Sequence, residues 1–178
     1  MRKAQKPLIS ITEIGEKYKD LFNYSKFNKI QSSCFDIAFR TNCNFVLCAP
    51  TGCGKTTVAE MSTCRALYQH EEPTLMLYIS PLRSICQEKV RDWQKRFQPL
   101  KVRVEEYTGD SNIPFPTRLT CHTLLCTTPE KLDLATRLWK HRMKMFSNIS
   151  LVIVDEIHML SDSRGSVLEA LLSRILYI

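Results

Sequence analysis

No apolar run in the 178 residues approaches the roughly 18 needed to cross a bilayer. The N-terminus, MRKAQKPLIS, is basic but lacks the apolar core of a secretory signal. The default expectation is therefore a soluble intracellular protein with no membrane partner. The eight cysteines (34, 43, 48, 53, 64, 86, 121 and 126) include no CxxC pair, which removes support for a zinc ribbon or a thioredoxin-type site. Most lie in apolar stretches such as Phe45-Val46-Leu47-Cys48 and Leu124-Leu125-Cys126. They are expected to be buried free thiols of a reducing compartment. There is no internal repeat and no low-complexity tract. Glycine is scarce, and two of the five lie within residues 49–57.

An acidic excess is also lacking. Lys and Arg number 25 against 18 acids, a net charge of +7 that leans towards a polyanionic partner without specifying one. The 44% hydrophobic content is sufficient for the core of one domain.

Residues 11–22 and 27–40 read as helices that lead into a short apolar strand, Phe45 to Cys48. A helix is expected from about 55 to 69, with Val58, Met61, Cys64 and Tyr68 on one face at spacings of three and four. A strand over Thr74 to Ile79 follows. The clearest period comes next: Leu82, Ile85, Cys86, Val90, Trp93 and Phe97 form one apolar stripe, read as core packing rather than as a stacking platform. Strands are expected at 101–105, 122–127 and 151–154, with helices from Pro129 and over 166–178. Short apolar strands alternating with amphipathic helices predict an α/β fold, a parallel sheet covered on both faces. Ligands of such sheets gather at the carboxyl ends of the strands, and 49–57, 80–83, 128–131 and 155–158 all begin where an expected strand ends.

The segment Ala49-Pro50-Thr51-Gly52-Cys53-Gly54-Lys55-Thr56-Thr57 has the composition of a phosphate grip. Gly52 and Gly54 allow a tight turn with backbone N–H groups close to phosphate oxygens, and the helix from Lys55 adds its positive end. Lys55 is placed to reach the β- and γ-phosphates of ATP, and the Thr56 hydroxyl to ligate Mg²⁺. Ala49 stands where GxxxxGK[ST] has its first glycine. Asp155-Glu156 follows the apolar run Leu151–Val154, 100 residues after Lys55. Asp155 can hold the hydration shell of Mg²⁺, and Glu156 can orient and deprotonate the attacking water. Gln31 can read both donor and acceptor on an adenine edge; by itself it reads as a surface residue of an ordinary helix start.

Together these segments resemble the first RecA-like domain of a superfamily 2 helicase of the DExH type. APTGCGKT looks like motif I, DEIH (Asp155 to His158) like motif II, SPLRSICQEK (80–89) like motif Ia, TTPEKLD (127–133) like motif Ib and YTGD (107–110) like the small motif between them. Gln31 falls at the Q motif. TPEK with Asp133, Thr136-Arg137 and Trp139, followed by DEIHMLSDSRG and Glu169, is similar to the Ski-like branch. FNYSKFNKIQ, NFVLCAPTGCGKTTVAE and the DEIH box look most like the meiotic crossover ATP-dependent DNA helicases. Leu132 replaces the Trp common at that position of the branch.

The resemblance implies a RecA-like domain over 24–178 after a lead-in extension, 1–23. It further implies 3'–5' DNA unwinding in meiotic recombination and a nuclear location. DNA is favoured over RNA, although RNA-remodelling members share most of the motifs. Pro81, Arg83, Gly109, Thr128 and Pro129 are implied to line the nucleic-acid path, Glu130 to brace its loop and His158 to couple nucleotide state to the strand-binding side. For Arg83 an exposed helix-start cation stays an equal reading, and for His158 a buried structural histidine competes. Arg137, Lys140, His141 and Lys144, expected on one helical face, are read as a solvated face ahead of a nucleic-acid patch.

The chain stops at Ile178, soon after motif II, while a motor of this type also needs motif III and a second RecA-like domain that supplies arginines. An arginine finger contributes about 10³–10⁵ in rate. The expectation is a chain that binds Mg-ATP, turns it over slowly and does not unwind duplex. A catalytically silent nucleotide- or nucleic-acid-binding module is the alternative from a different class.

Overall fold

The computed structural model describes residues 7–158 and 165–177. The basic start and the 159–164 part of DEIHMLSDSRG lie outside these residues. The chain divides into two compact units, 1–69 and 70–178.

The first unit is built of helical turns around an aromatic cluster. The helix expected over 11–22 is instead two 3₁₀ turns, Ile11–Ile14 and Lys19–Leu21. Gly15 ends the first at φ +94°, a left-handed conformation that glycine tolerates. Helix α1 (Lys29–Phe35) starts one residue after Asn28. The Asn28 side chain accepts from the Gln31 N–H, and Gln31 Oε1 accepts from the Asn28 N–H, both at 2.9 Å. This capping box satisfies two orphan donors of the first turn. A π-helical turn, Asp36–Arg40, continues it. Phe27 and Phe35 are fully buried and lie edge-to-face or tilted against Phe22 and each other.

Helix α2 (Lys55–Gln69) forms as its apolar spacing predicts, with Val58, Met61 and Cys64 buried. Tyr68, read on the same face, is 69% exposed near the helix end. The strand expected at Phe45–Cys48 does not form. Phe45 and Leu47 are half-buried while Val46 is 68% exposed and Cys48 exposed, so the alternation of a strand is present without its ladder. The described residues of this unit include no strand element, and a strand needs a partner to satisfy its backbone.

The second unit holds a four-stranded parallel sheet in the order β2-β3-β1-β4. The strands are β1 (Leu75–Ile79), β2 (Arg103–Tyr107), β3 (Thr123–Thr127) and β4 (Ile149–Val154). All residues of β1 and β3 are buried, as their unbroken apolar runs require. Helices cover both faces. On one, Trp93 and Phe97 of α3 (Arg83–Phe97) pack beneath Tyr78. On the other, Leu75, Leu77, Ile79 and Leu125 join Leu132 and Ala135 of α4 (Pro129–Thr136) with Met145 and Phe146 of α5 (Met143–Phe146). Leu168 and Leu171 of α6 (Gly165–Tyr177) complete that core.

The α3 stripe is buried at Cys86, Trp93 and Phe97, half-buried at Ile85 and Val90, and exposed at Leu82, which caps the helix. Arg137, Lys140, His141 and Lys144 do not share one helical face. The chain passes there from the end of α4 through a 3₁₀ turn, Trp139–Arg142, into α5. All eight cysteines are free, but only Cys64, Cys86 and Cys126 are buried. Burial pushes the Cys86 thiol up to about 12. Cys48, expected inside a strand, is exposed because that strand is missing.

Candidate nucleotide and nucleic-acid sites

In the first unit, residues 49–54 form a tight loop that runs directly into α2, whose first turn holds Lys55, Thr56 and Thr57. Gly52 and Gly54 have φ of +79° and +90°, a region that L side chains rarely adopt. The Cys53 N–H donates to Pro50 O at 3.4 Å, and Thr57 N–H to Gly54 O at 3.1 Å. Lys55 Nζ folds back over the start of the loop and donates to Ala49 O at 3.0 Å and Pro50 O at 3.4 Å. An ammonium, a helix N-terminus and two left-handed glycines thus share one short segment, a donor set that fits a polyphosphate.

The loop is braced from α1. Asn28 Nδ2 donates to Cys53 O at 2.9 Å and Gln31 Nε2 to Gly54 O at 3.5 Å. Gln31 is therefore not the surface residue that its helix-start position suggested. It is buried, one end of its amide capping α1 and the other touching the loop at Gly54. Tyr24 reaches the same loop through Thr57 Oγ1 at 3.2 Å. Thr56, on the first turn of α2, is exposed.

In the second unit, Asp155-Glu156 closes β4. The Asp155 N–H donates to Ile79 O at 2.8 Å, which extends the ladder by one step. Its Oδ1 accepts from the Glu156 N–H at 3.0 Å, and its Oδ2 from the Tyr78 hydroxyl at 2.5 Å. Glu156 has φ +54°, a conformation that costs a non-glycine residue about 1–3 kcal/mol and recurs at active sites. Its carboxylate meets His158 Nδ1 at 3.2 Å, and the His158 side chain is 76% exposed. The buried structural histidine is excluded. Burial, followed by the Asp155 contact, pushes the Tyr78 hydroxyl far above its ordinary range. Taken separately, the Thr56 hydroxyl in the first unit and the Asp155 carboxylate in the second are each hard oxygen donors of the kind that Mg²⁺ takes.

Four of the five residues implied to line the nucleic-acid path come together. Pro81, Arg83, Gly109 and Thr128 share a cleft of about 680 Å³ across the carboxyl ends of β1, β2 and β3, with Glu130 and Lys131 on its wall. Pro129, the buried first residue of α4, is not among the residues that line it. Arg83 is exposed at the start of α3, and its guanidinium donates to Asp110 at 2.5 Å. It also lies over Gly109, where a Cβ would stand 2.5 Å from Arg83 Nη2.

Behind the cleft, buried Asp133 of α4 accepts from Arg137 Nε at 2.8 Å and Arg174 Nη1 of α6 at 2.6 Å. Arg174 also bonds Thr136 Oγ1 at 2.6 Å. Burial works to raise the Asp133 carboxyl, but its two arginine partners outweigh that and hold it below its ordinary 3.8. The sequence reading missed Tyr78, Asp110 and Lys131. The alternation of β1 puts Tyr78 on a defined sheet face, but its meeting with Asp155 becomes legible only with the β1–β4 pairing.

A four-stranded parallel sheet covered by helices on both faces, with an Asp-Glu pair closing one strand, is the α/β architecture of a RecA-like domain. A family model described as DEAD/DEAH box helicase matches residues 28–177, and the chain belongs to that family, which uses ATP. It is 38% identical over 181 residues to the pre-mRNA-splicing factor brr2 of Schizosaccharomyces pombe, covering 97% of this chain and 8% of that protein. It is 34% identical over 180 residues to the ATP-dependent DNA helicase homolog MER3 of Arabidopsis thaliana, covering 94% of this chain and 16% of that one. Such relatives are of the Ski-like branch, and the chain spans only a first-domain region of them. Among solved structures, the DUF1998 helicase MrfA bound to DNA and AMPPNP has a TM-score of 0.76 at 18% identity. That likeness covers 99% of this chain and 26% of MrfA, and shows the fold.

Proposed function

We propose that the chain is the ATP-binding motor domain, residues 24–178 after a lead-in at 1–23, of a nuclear ATP-dependent DNA helicase of 3'–5' polarity acting in meiotic recombination. The observation that carries the motor reading is the shared cleft. Three loops that follow three parallel strands bring Pro81, Arg83, Gly109 and Thr128 together at the sheet's carboxyl end. Such a surface holds successive phosphates without reading bases.

Lys55 takes the β- and γ-phosphates, and residues 49–57 wrap them with backbone N–H groups. Thr56 would ligate Mg²⁺, Asp155 would hold its hydration shell and Glu156 would deprotonate the attacking water. When bound, Mg²⁺ would supply charge neutralisation for the γ-phosphate oxygens. Gln31 presents its remaining amide donor to adenine while it braces Gly54. His158, whose Nδ1 lies 3.2 Å from the Glu156 carboxylate, couples nucleotide state to the strand-binding side.

The similarity to a MER3 homolog named as a DNA helicase supports DNA. The comparable similarity to brr2, named as a splicing factor, is the observation that favours RNA as a second reading. Competition of single-stranded DNA against RNA of the same sequence, at fixed salt, separates them. DNA displacing labelled DNA at least as well as RNA supports the proposal, and stronger displacement by RNA overturns the substrate.

A further inference from the structure

Tyr78 of β1 lies opposite Ile153 of β4, and Ile79 opposite Val154. A residue two steps past a cross-strand partner is on the same sheet face and within reach of an aromatic side chain. Tyr78 therefore meets Asp155 diagonally, and its hydroxyl donates to Asp155 Oδ2 at 2.5 Å. The ring is 2% exposed and stands edge-on to Trp93, itself 1% exposed, with centroids 5.0 Å apart. A phenol enclosed in this way keeps one target for its O–H.

The rest of Asp155 is held as firmly. Oδ1 accepts from the Glu156 N–H and the Asp155 N–H donates to Ile79 O. Each carboxylate oxygen thus has one fixed donor, so the torsion of the group is set while further lone pairs remain for an ion or its water. Outer partners of this kind orient metal-binding carboxylates and tune their affinity.

We infer that Tyr78 is a positioning residue for Mg²⁺: its hydroxyl, clamped by Trp93, fixes the Asp155 carboxylate in the orientation that receives the hydrated ion. The inference rests on the proposed role of Asp155.

Tyr78→Phe keeps the ring and its contact with Trp93 and removes only the hydroxyl. The test uses the whole 178-residue chain and reads the affinity of a fluorescent ATP analogue across a Mg²⁺ titration and in EDTA, alongside the melting temperature. Tyr78→Phe is expected to weaken the apparent Mg²⁺ affinity about tenfold, with nucleotide affinity in EDTA unchanged. In an Asp155→Asn background the same substitution is expected to add nothing. A packing role would lower the melting temperature and shift both affinities alike. A wild-type Mg²⁺ dependence in Tyr78→Phe beside a reduced one in Asp155→Asn overturns the role of Tyr78, as do additive effects of the two changes. If Asp155→Asn alone leaves Mg²⁺ dependence intact, the reading of Asp155 falls and the inference falls with it.

Discussion

At Gly54 the backbone sits at φ +90°, and the space a Cβ would need is filled by the Gln31 amide. Gly54→Ala must strain the backbone and push Gln31 away from the loop. The expected loss is about 1–3 kcal/mol, and at about 2–4 °C per kcal/mol a thermal melt reads it directly. Unchanged melting would show that the Gln31 brace yields freely. Arg83 allows a second test at this scale. Its guanidinium is exposed, paired to Asp110 and placed over the cleft. If it holds a phosphate, Arg83→Ala weakens single-stranded DNA binding evenly across sequences and reduces the salt slope by about one. An unchanged slope would return Arg83 to the role of a surface ion pair.

Between elements, the Asp133 knot ties α6 to the helix that opens on the cleft. Arg174 gives one bond to Asp133 and one to Thr136, both on α4. Arg174→Met leaves a buried carboxylate with Arg137 alone, for an expected loss of at most about 3 kcal/mol. The knot also has a pH signature. Because the folded Asp133 carboxyl is held below its ordinary 3.8, its stabilising contribution is complete at pH values well above 3.8. It is lost as pH falls through the lowered folded value. Acid unfolding followed by circular dichroism should start at higher pH in Arg174→Met than in the wild type. Coincident acid transitions would show that the knot contributes nothing.

The same scale explains what could be read from the residues alone. Strands β1, β3 and β4 and helices α2 and α3 were legible because apolar runs and helical periodicity are local properties. Segments 80–83 and 128–131 were legible as sites because they sit just past strands, where a parallel sheet gathers its ligands, whereas the particular cleft residues, Gly109 among them, came from the family resemblance. Phe45–Cys48 carried the right residue types for a strand, but a strand is completed only by a neighbour, and the described residues of its unit provide none. Gln31 looked exposed because a capping residue usually is, and its burial against Gly54 comes from a contact 23 positions away. Tyr78 escaped notice because β1 and β4 pair across more than 70 residues of sequence.

For the whole molecule, the two units differ in how their backbones are satisfied. The sheet of the second unit is hydrogen-bonded throughout β1 and β3, whereas residues 41–50 of the first unit belong to no helix or strand. Hydrogen exchange should therefore show amides 44–48 exchanging far faster than those of β1 and β3. Equal protection would mean that this segment has a ladder partner after all. The central claim is that the 49–57 loop holds the phosphates of ATP. Its most direct test is calorimetric titration of Mg-ATP into the 178-residue chain and its Lys55→Ala variant. The prediction is a folded variant whose affinity falls about a hundredfold, the worth of roughly 3 kcal/mol of charge-assisted contact. An affinity unchanged in a folded Lys55→Ala would contradict it.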